Sequence, residues 1–383
     1  MTYFDNAATT FPKPLSVGDE MLRCVRIYGG NPGRGAHSVS LAAAKKVFEC
    51  RNELAELFGA ADTDRVFFVP NTTYGINTVL KGLLREGDHV IISDMEHNAV
   101  WRPVCKMARD GRIQYDVFKT LTGDAKQNPM RICANIAKLI RPNTRLVFCT
   151  HASNICSATL PIRQIGEFCH RHGLLFAVDG AQSAGHERID MRDMNIDALC
   201  VPGHKGLYGP QGSGAVILGE GITLDTLVEG GNGIDSLEAQ MSLQAPERYE
   251  AGTVATPCIA GLCEGVKTVR RMGIERIAGG EKALCGRMRE MLGNMKNIEL
   301  YAPEYEGSIV LFNVRGVPSE RVAELLDRQG ICVRGGYHCA ALAHRTLGTP
   351  DGGAVRASVG MYNKMADAET FYRALRAVTV ATS

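Results

Sequence analysis

Short apolar runs alternate with stretches of helical period from about Asp64 to Leu218. Arg65 to Val69, His89 to Ile92, Arg145 to Cys149, Leu174 to Val178 and Ala198 to Val201 read as buried strands. Thr73 to Leu84, Val100 to Arg109 and Arg163 to Arg171 read as helices between them. Near-continuous apolar strands separated by helices predict a mostly parallel sheet covered on both faces. A glycine-rich stretch follows from Gly206 to Gly214, and another from Gly230 to Gly233. After about Pro257 the pattern changes. It predicts a long helical region to Met295, a strand over Ser308 to Phe312 and a helix over Arg321 to Gln329. A strand over Val355 to Val359 and a closing helix over Ala366 to Val378 complete it.

The 383 residues leave room for two domains. The expected organisation is a large α/β domain over 15–256 and a smaller α+β C-terminal domain formed by 1–14 and 257–383. The 43 basic and 41 acidic residues nearly cancel, and no run of like charges stands out, so no nucleic-acid partner is expected. Thirteen cysteines lie mostly inside apolar runs, with no CxxC pair and no Cys/His spacing of a zinc site. A reduced, cytoplasmic protein without a metal is therefore expected. The first residues lack the basic and apolar regions of a signal peptide. No apolar run approaches the ~20 residues of a membrane span.

Chemistry enters at two predicted strand ends. Val178-Asp179 ends one strand in an acid, and Pro202-Gly203-His204-Lys205-Gly206 follows another. Ligands of α/β sheets bind beyond the carboxyl ends of the strands. A lone aspartate there is commonly a turn residue, and a lone lysine is normally solvated. Together they supply what pyridoxal 5'-phosphate (PLP) requires: an amine for its aldehyde and an acid beside its ring nitrogen. Pro70 to Asn77 joins a strand to a helix, so free amides and the hydroxyls of Thr72 and Thr73 suit a phosphate. Threonine at a helix start also serves simply as a cap. His97, in Glu96-His97-Asn98, could cover the cofactor ring or be structural.

These residues fall within a longer series: Phe4 to Thr10, Gly33 to His37, Asn71 to Thr73, Glu96 to Asn98, Ala152 to Asn154, Asp179 to Gln182, Gly203 to Lys205, Glu250 to Thr253, Arg334 to Ala340 and Val355 to Ser358. With these segments in this order, nearly the whole chain resembles the class V aminotransferase group of fold-type I PLP enzymes, specifically cysteine desulfurases and selenocysteine lyases. The cysteine motif is similar to that of group II, where the cysteine sits in a short, ordered loop.

The resemblance implies a role for each residue. Lys205 would carry the Schiff base and move protons, and Asp179 would keep the ring nitrogen protonated. Gln182 would bond the phenolic oxygen with Asn154 near it, and His97 would stack on the ring. Thr73 and His204 would hold the phosphate. Thr253 would reach the phosphate of the other subunit, which implies a homodimer. Arg356 would grip the substrate carboxylate in bidentate fashion, with Arg334 and Asn31 lining the same pocket. Cys339 would be the nucleophile, favoured as a thiolate by Arg334 and His338, with Gly335-Gly336 giving a flexible approach.

Two positions depart from the family pattern. Pro202 stands where relatives often have a phosphate-binding hydroxyl, and it offers neither hydroxyl nor N–H. Tyr337 stands where group II relatives often have histidine, which leaves one histidine beside the nucleophile. The implied reaction converts L-cysteine to L-alanine and leaves a persulfide on Cys339 for a sulfur-acceptor protein. With L-selenocysteine the same framework would release selenide. The scaffold also hosts aminotransferases, epimerases and other C–S lyases. A sulfur-carrier scaffold with vestigial activity is the rival of another class, and an intact Lys205, Asp179 and Arg356 argue against it.

Overall fold

The computed structural model describes residues 1–33, 35–123, 127–349 and 351–381; Arg34, within one of the matched segments, lies outside them. The chain runs through β1 (Thr2–Tyr3), α1 (Leu15–Arg23), α2 (Ser38–Phe58), β2 (Val66–Val69), α3 (Thr72–Leu83), β3 (His89–Ser93) and α4 (Asn98–Arg109). It continues through β4 (Gln114–Phe118), α5 (Pro129–Ala137), β5 (Thr144–Thr150), α6 (Ile162–Arg171), β6 (Leu175–Asp179), β7 (Ala198–Pro202) and β8 (Gly214–Leu218). These strands form a seven-stranded sheet in the order β2-β8-β7-β6-β5-β3-β4. It is parallel except for β8, which runs antiparallel to both β2 and β7.

Alternation along the strands fills two apolar layers. Phe176 and Val178 of β6 pack with Leu54, Phe58, Ile165 and Leu262 on one face. Ala177 of β6, with Phe148 and Ile92, packs with Val79, Leu80 and Val100 on the other. The expected mostly parallel, doubly covered sheet is thus observed. Of the elements that the sequence pattern did not single out, β8, β4 and α2 each have a physical reason. β8 begins at Gly214, directly behind the glycine-rich stretch that resembles a loop. β4 is a sheet edge with only its last residue buried. α2 interleaves small alanines with polar residues and shows little amphipathicity.

The remainder of the chain contains α7 (Thr256–Met272), α8 (Ile274–Gly293), β9 (Ile298–Tyr301), β10 (Ile309–Val314), α9 (Ser319–Asp327), β11 (Ile331–Cys332), α10 (Ala341–Leu347), β12 (Val355–Ser358) and α11 (Met365–Ala381). The long helical region expected to Met295 is two helices, because Gly273 takes φ +83° and breaks the run. β12, β10 and β9 form an antiparallel sheet over a core of Phe312, Val355, Met288 and Phe371. Phe4 joins this core, and β1 pairs in parallel with β11, so the N-terminal strand is held against the C-terminal region. Among the described residues no helix is long and apolar enough to cross a membrane.

Candidate active site

The carboxyl ends of three adjacent strands converge. Asp179 is the last residue of β6, Thr150 lies opposite it at the end of β5, and Lys205 follows the end of β7. The loops beyond β6 and β7 touch backbone to backbone. A Cβ on Gly206 would lie 2.3 Å from the Ala184 carbonyl oxygen, so glycine is what lets Lys205 and Asp179 face the same space. That space is a cavity of about 280 Å³. It is lined by Thr72, Thr73, His97, Asn154, Asp179, Gln182, His204, Lys205, Arg334, Cys339 and Arg356 among others.

The electrostatics of the cavity follow from burial. Burial raises the Asp179 carboxyl to about 6, against the pull of the Ala181 N–H at 2.9 Å and of Lys205. Burial lowers the Lys205 ammonium to about 8, opposed by Asp179. His97 is lowered to about 4 by burial, with Lys205 and Arg356 adding repulsion. Its Nδ1 accepts from Ala99 N at 3.0 Å, so Nε2 carries the ring proton. His97 thereby caps α4 while it lines the cavity.

One end of the cavity suits an anion. It is formed by the first turn of α3 and by the loop after β7. Asn71 caps α3 through Tyr74 N, which leaves the earlier amides for a ligand. Thr72 Oγ1 and His204 Nδ1 are buried without a hydrogen-bond partner, as groups awaiting a phosphate would be. Pro202 lines this end. Lys13 Nζ donates to the His204 carbonyl at 2.7 Å, a contact the sequence reading did not foresee. The donor set therefore fits PLP: an amine, a buried acid, a cavity-lining histidine and an end that suits an anion.

Two arginines and the thiol also line the cavity. Arg356 is buried in β12; its Nη1 donates to the Asn154 carbonyl at 2.8 Å and its Nη2 to Asp5 Oδ1 at 3.0 Å. Its Nε is buried without a partner. Arg334 forks onto the same Asp5, Nε–Oδ2 at 3.0 Å and Nη2–Oδ2 at 2.7 Å. Asp5 lies in a matched segment, yet no role had been read for it. Gln182 Nε2 donates to the Ala7 carbonyl at 2.9 Å, leaving its carbonyl oxygen for the cavity.

Cys339 is exposed, whereas the other twelve cysteines are buried or half-buried and all thirteen are unpaired. His338 and Cys339 take φ +52° and +56°, a left-handed pair costing about 1–3 kcal/mol per residue. Asn154 Nδ2 holds the His338 carbonyl at 2.8 Å and Asn98 N holds the Cys339 carbonyl at 2.7 Å. The expected flexible glycine approach is instead closely packed. A Cβ on Gly335 would lie 2.6 Å from the Ser319 carbonyl oxygen, and Gly336 exchanges two backbone bonds with Ala354.

Asn31 and Thr253 do not line this cavity. They meet at 3.4 Å in a separate cleft with Phe48 and Glu250. Sequence reasoning also passed over Glu96. Its Oε1 accepts from the Ser93 hydroxyl and from Thr150 N at 2.9 Å. Burial pushes this carboxyl up to about 8.

The aminotransferase class-V family model matches residues 2–371. A probable cysteine desulfurase of Methanothermobacter thermautotrophicus is 34% identical over 94% of this chain and 90% of its own length. A cysteine desulfurase of Yersinia pseudotuberculosis is 31% identical over 99% of this chain and 93% of its own. Among solved structures, the apo structure of a cysteine desulfurase from Thermococcus onnurineus NA1 superposes with a TM-score of 0.88 at 30% identity. That match covers 99% of this chain and 95% of the other.

Proposed function

The chain belongs to the aminotransferase class-V family, and we propose that its cavity converts L-cysteine to L-alanine while Cys339 takes the sulfur as a persulfide. The observation that carries this reading is that the one exposed cysteine shares a single cavity with Lys205, Asp179 and Arg356. The enzyme depends on PLP, which when bound acts as an electron sink for charge developing at the substrate Cα.

The chain's own residues do the rest. Thr72, Thr73 and His204 would hold the phosphate, and His97, Asn154 and Gln182, which line the same cavity, would contact the ring. Asp179, a buried carboxyl in the cavity, would hold a proton on the ring nitrogen. Arg356, in the cavity wall, would orient the substrate carboxylate beside the exposed Arg334. Lys205, near 8, takes the Cα proton as a neutral amine and returns it. The Cys339 thiolate attacks the substrate sulfur. An S–S bond forms as the substrate C–S bond breaks, and its electron pair stays on Cβ, which is then protonated. Enzyme thiol plus cysteine thus balances enzyme persulfide plus alanine. The test is mass spectrometry of the Cys339 peptide after incubation with L-cysteine. A gain of one sulfur atom there supports the assignment, and a gain elsewhere overturns it.

Two features support a homodimer. Thr253 and Asn31 sit outside their own protomer's cavity, where they could reach a partner's. Leu15, Val25, Ile27, Leu41 and Phe48 are exposed on the N-terminal helical region, as an apolar interface would be. Thirteen unpaired cysteines fit a reducing cytoplasm. The persulfide would pass to an acceptor protein at exposed Cys339. L-Selenocysteine, which differs from L-cysteine only in its chalcogen, belongs in the same substrate panel. The division at 14/15 and 256/257 is the boundary we propose for the two domains.

A further inference from the structure

Behind Cys339 lies a chain of side chains that the reaction above does not use. His338 Nε2 is 3.1 Å from the Arg334 carbonyl, and His338 Nδ1 is 3.2 Å from His344 Nε2. His344 Nδ1 is 2.7 Å from Thr349 Oγ1. A carbonyl can only accept, so His338 Nε2 carries its proton and Nδ1 is left as an acceptor. His344 then donates from Nε2 and accepts at Nδ1 from the Thr349 hydroxyl, whose other acceptor, the His344 carbonyl, is farther away at 3.3 Å. One backbone carbonyl thereby fixes both tautomers. The two rings lie nearly parallel, 17° apart at 5.5 Å, and the Tyr337 ring stands edge-on to His344 at 5.5 Å. Both imidazoles are held well below the usual histidine range, mainly by burial, so both are neutral and the chain of donors is intact at neutral pH.

We propose that His344 is a positioning residue that locks His338, and with it the left-handed turn presenting Cys339, rather than leaving His338 free as a proton donor. With both ring nitrogens engaged, His338 has none left for the substrate. Cys339 directly follows it at φ +56°, so the lock acts on the nucleophile through one peptide. His344 itself is buried on α10. The phenol of Tyr337 accepts from Gly352 N at 2.9 Å. The residue standing where relatives often carry histidine thus packs its ring against His344 with its phenol held by Gly352, and His344 supplies the second imidazole instead.

The proposal rests on Cys339 as the nucleophile, and the experiment separates the two ideas. Wild type, His344→Ala, His344→Gln and Cys339→Ala holoenzymes are given L-cysteine in D2O. Cα-proton exchange reports Lys205, and sulfur gain on Cys339 reports the thiol step. Alkylation of Cys339 by iodoacetamide is timed in the substrate-free proteins. His344→Ala should slow persulfide formation by about tenfold to a hundredfold, as small misplacements of reacting groups do, while exchange stays close to wild type. Its Cys339 alkylation rate should depart from wild type. The His344→Gln amide can place an N–H where Nε2–H stood, so it should recover most of the rate and the native alkylation. Wild-type behaviour of His344→Ala would overturn the lock. So would an equal loss of exchange and persulfide that His344→Gln fails to recover. Alanine release from Cys339→Ala would instead overturn the functional reading, and the alkylation comparison would still decide the lock.

Discussion

Asp5 grips Arg356 in the cavity wall: Oδ1 accepts from Arg356 Nη2 at 3.0 Å, with the guanidinium buried. The same carboxylate takes the fork of Arg334. Asp5 is reached from the N-terminal strand β1, and it fixes an arginine of β12. Removing it leaves a buried cation with one partner fewer, which typically costs about 3–5 kcal/mol. Asp5→Ala should therefore lower the holoenzyme's unfolding free energy in urea by about 3 kcal/mol and raise KM for L-cysteine more than it lowers kcat. An unchanged denaturation midpoint would show that Asp5 does not hold Arg356.

Glu96 gives a pH signature. Its carboxyl is raised from the usual range to about 8 by burial, and it stays protonated in the fold where the unfolded chain would ionise it. The stability it contributes is full below about 4.5 and is lost as pH rises through about 8. Glu96→Gln keeps an acceptor for Thr150 N and the Ser93 hydroxyl without the ionisation. Unfolding measured across this range should show the variant gaining on wild type as pH rises from 5 toward 9. Parallel profiles would contradict the buried, protonated carboxyl.

Much of this was legible in the residues. Asp179 and Lys205 were found because each follows an apolar run, and strand ends are where sheets place ligands. Asp5 was not found as a partner of Arg356, because 351 residues separate them and only folding brings them together. His344 escaped because a histidine in a short helix has no local pattern that marks a tautomer-fixing contact. The flexible approach assigned to Gly335 and Gly336 was a reading of composition. The fold uses those glycines for close packing against Ser319 and Ala354 instead.

Lys205 should be the covalent anchor of PLP. Its ammonium is lowered to about 8, and only the neutral amine captures an aldehyde. PLP incorporation into the apoprotein should accelerate with pH and level off above about 8. Lys205→Ala should lose turnover and any borohydride-reducible link. Trapping of PLP on that variant would move the anchor elsewhere.

Pro202 lines the end of the cavity proposed for the phosphate and offers neither a hydroxyl nor an N–H. Pro202→Ser could add one charge-assisted hydrogen bond, worth about 1.5–3 kcal/mol. The variant should release PLP more slowly on dialysis. Equal or faster loss would mean that Thr72, Thr73 and His204 already saturate the phosphate.

The central assignment is that Cys339 attacks the substrate sulfur. It is tested by alanine release from L-cysteine and from L-selenocysteine, wild type beside Cys339→Ala, with bound PLP verified by its spectrum. The variant keeps Lys205, Asp179 and the phosphate end, so its cofactor spectrum should be unchanged. Its alanine release from cysteine should nearly vanish, while some turnover of selenocysteine, with its better leaving group, persists. Undiminished alanine release from cysteine without Cys339 would contradict the persulfide mechanism. No alanine from either substrate in the wild type would contradict the desulfurase reading altogether.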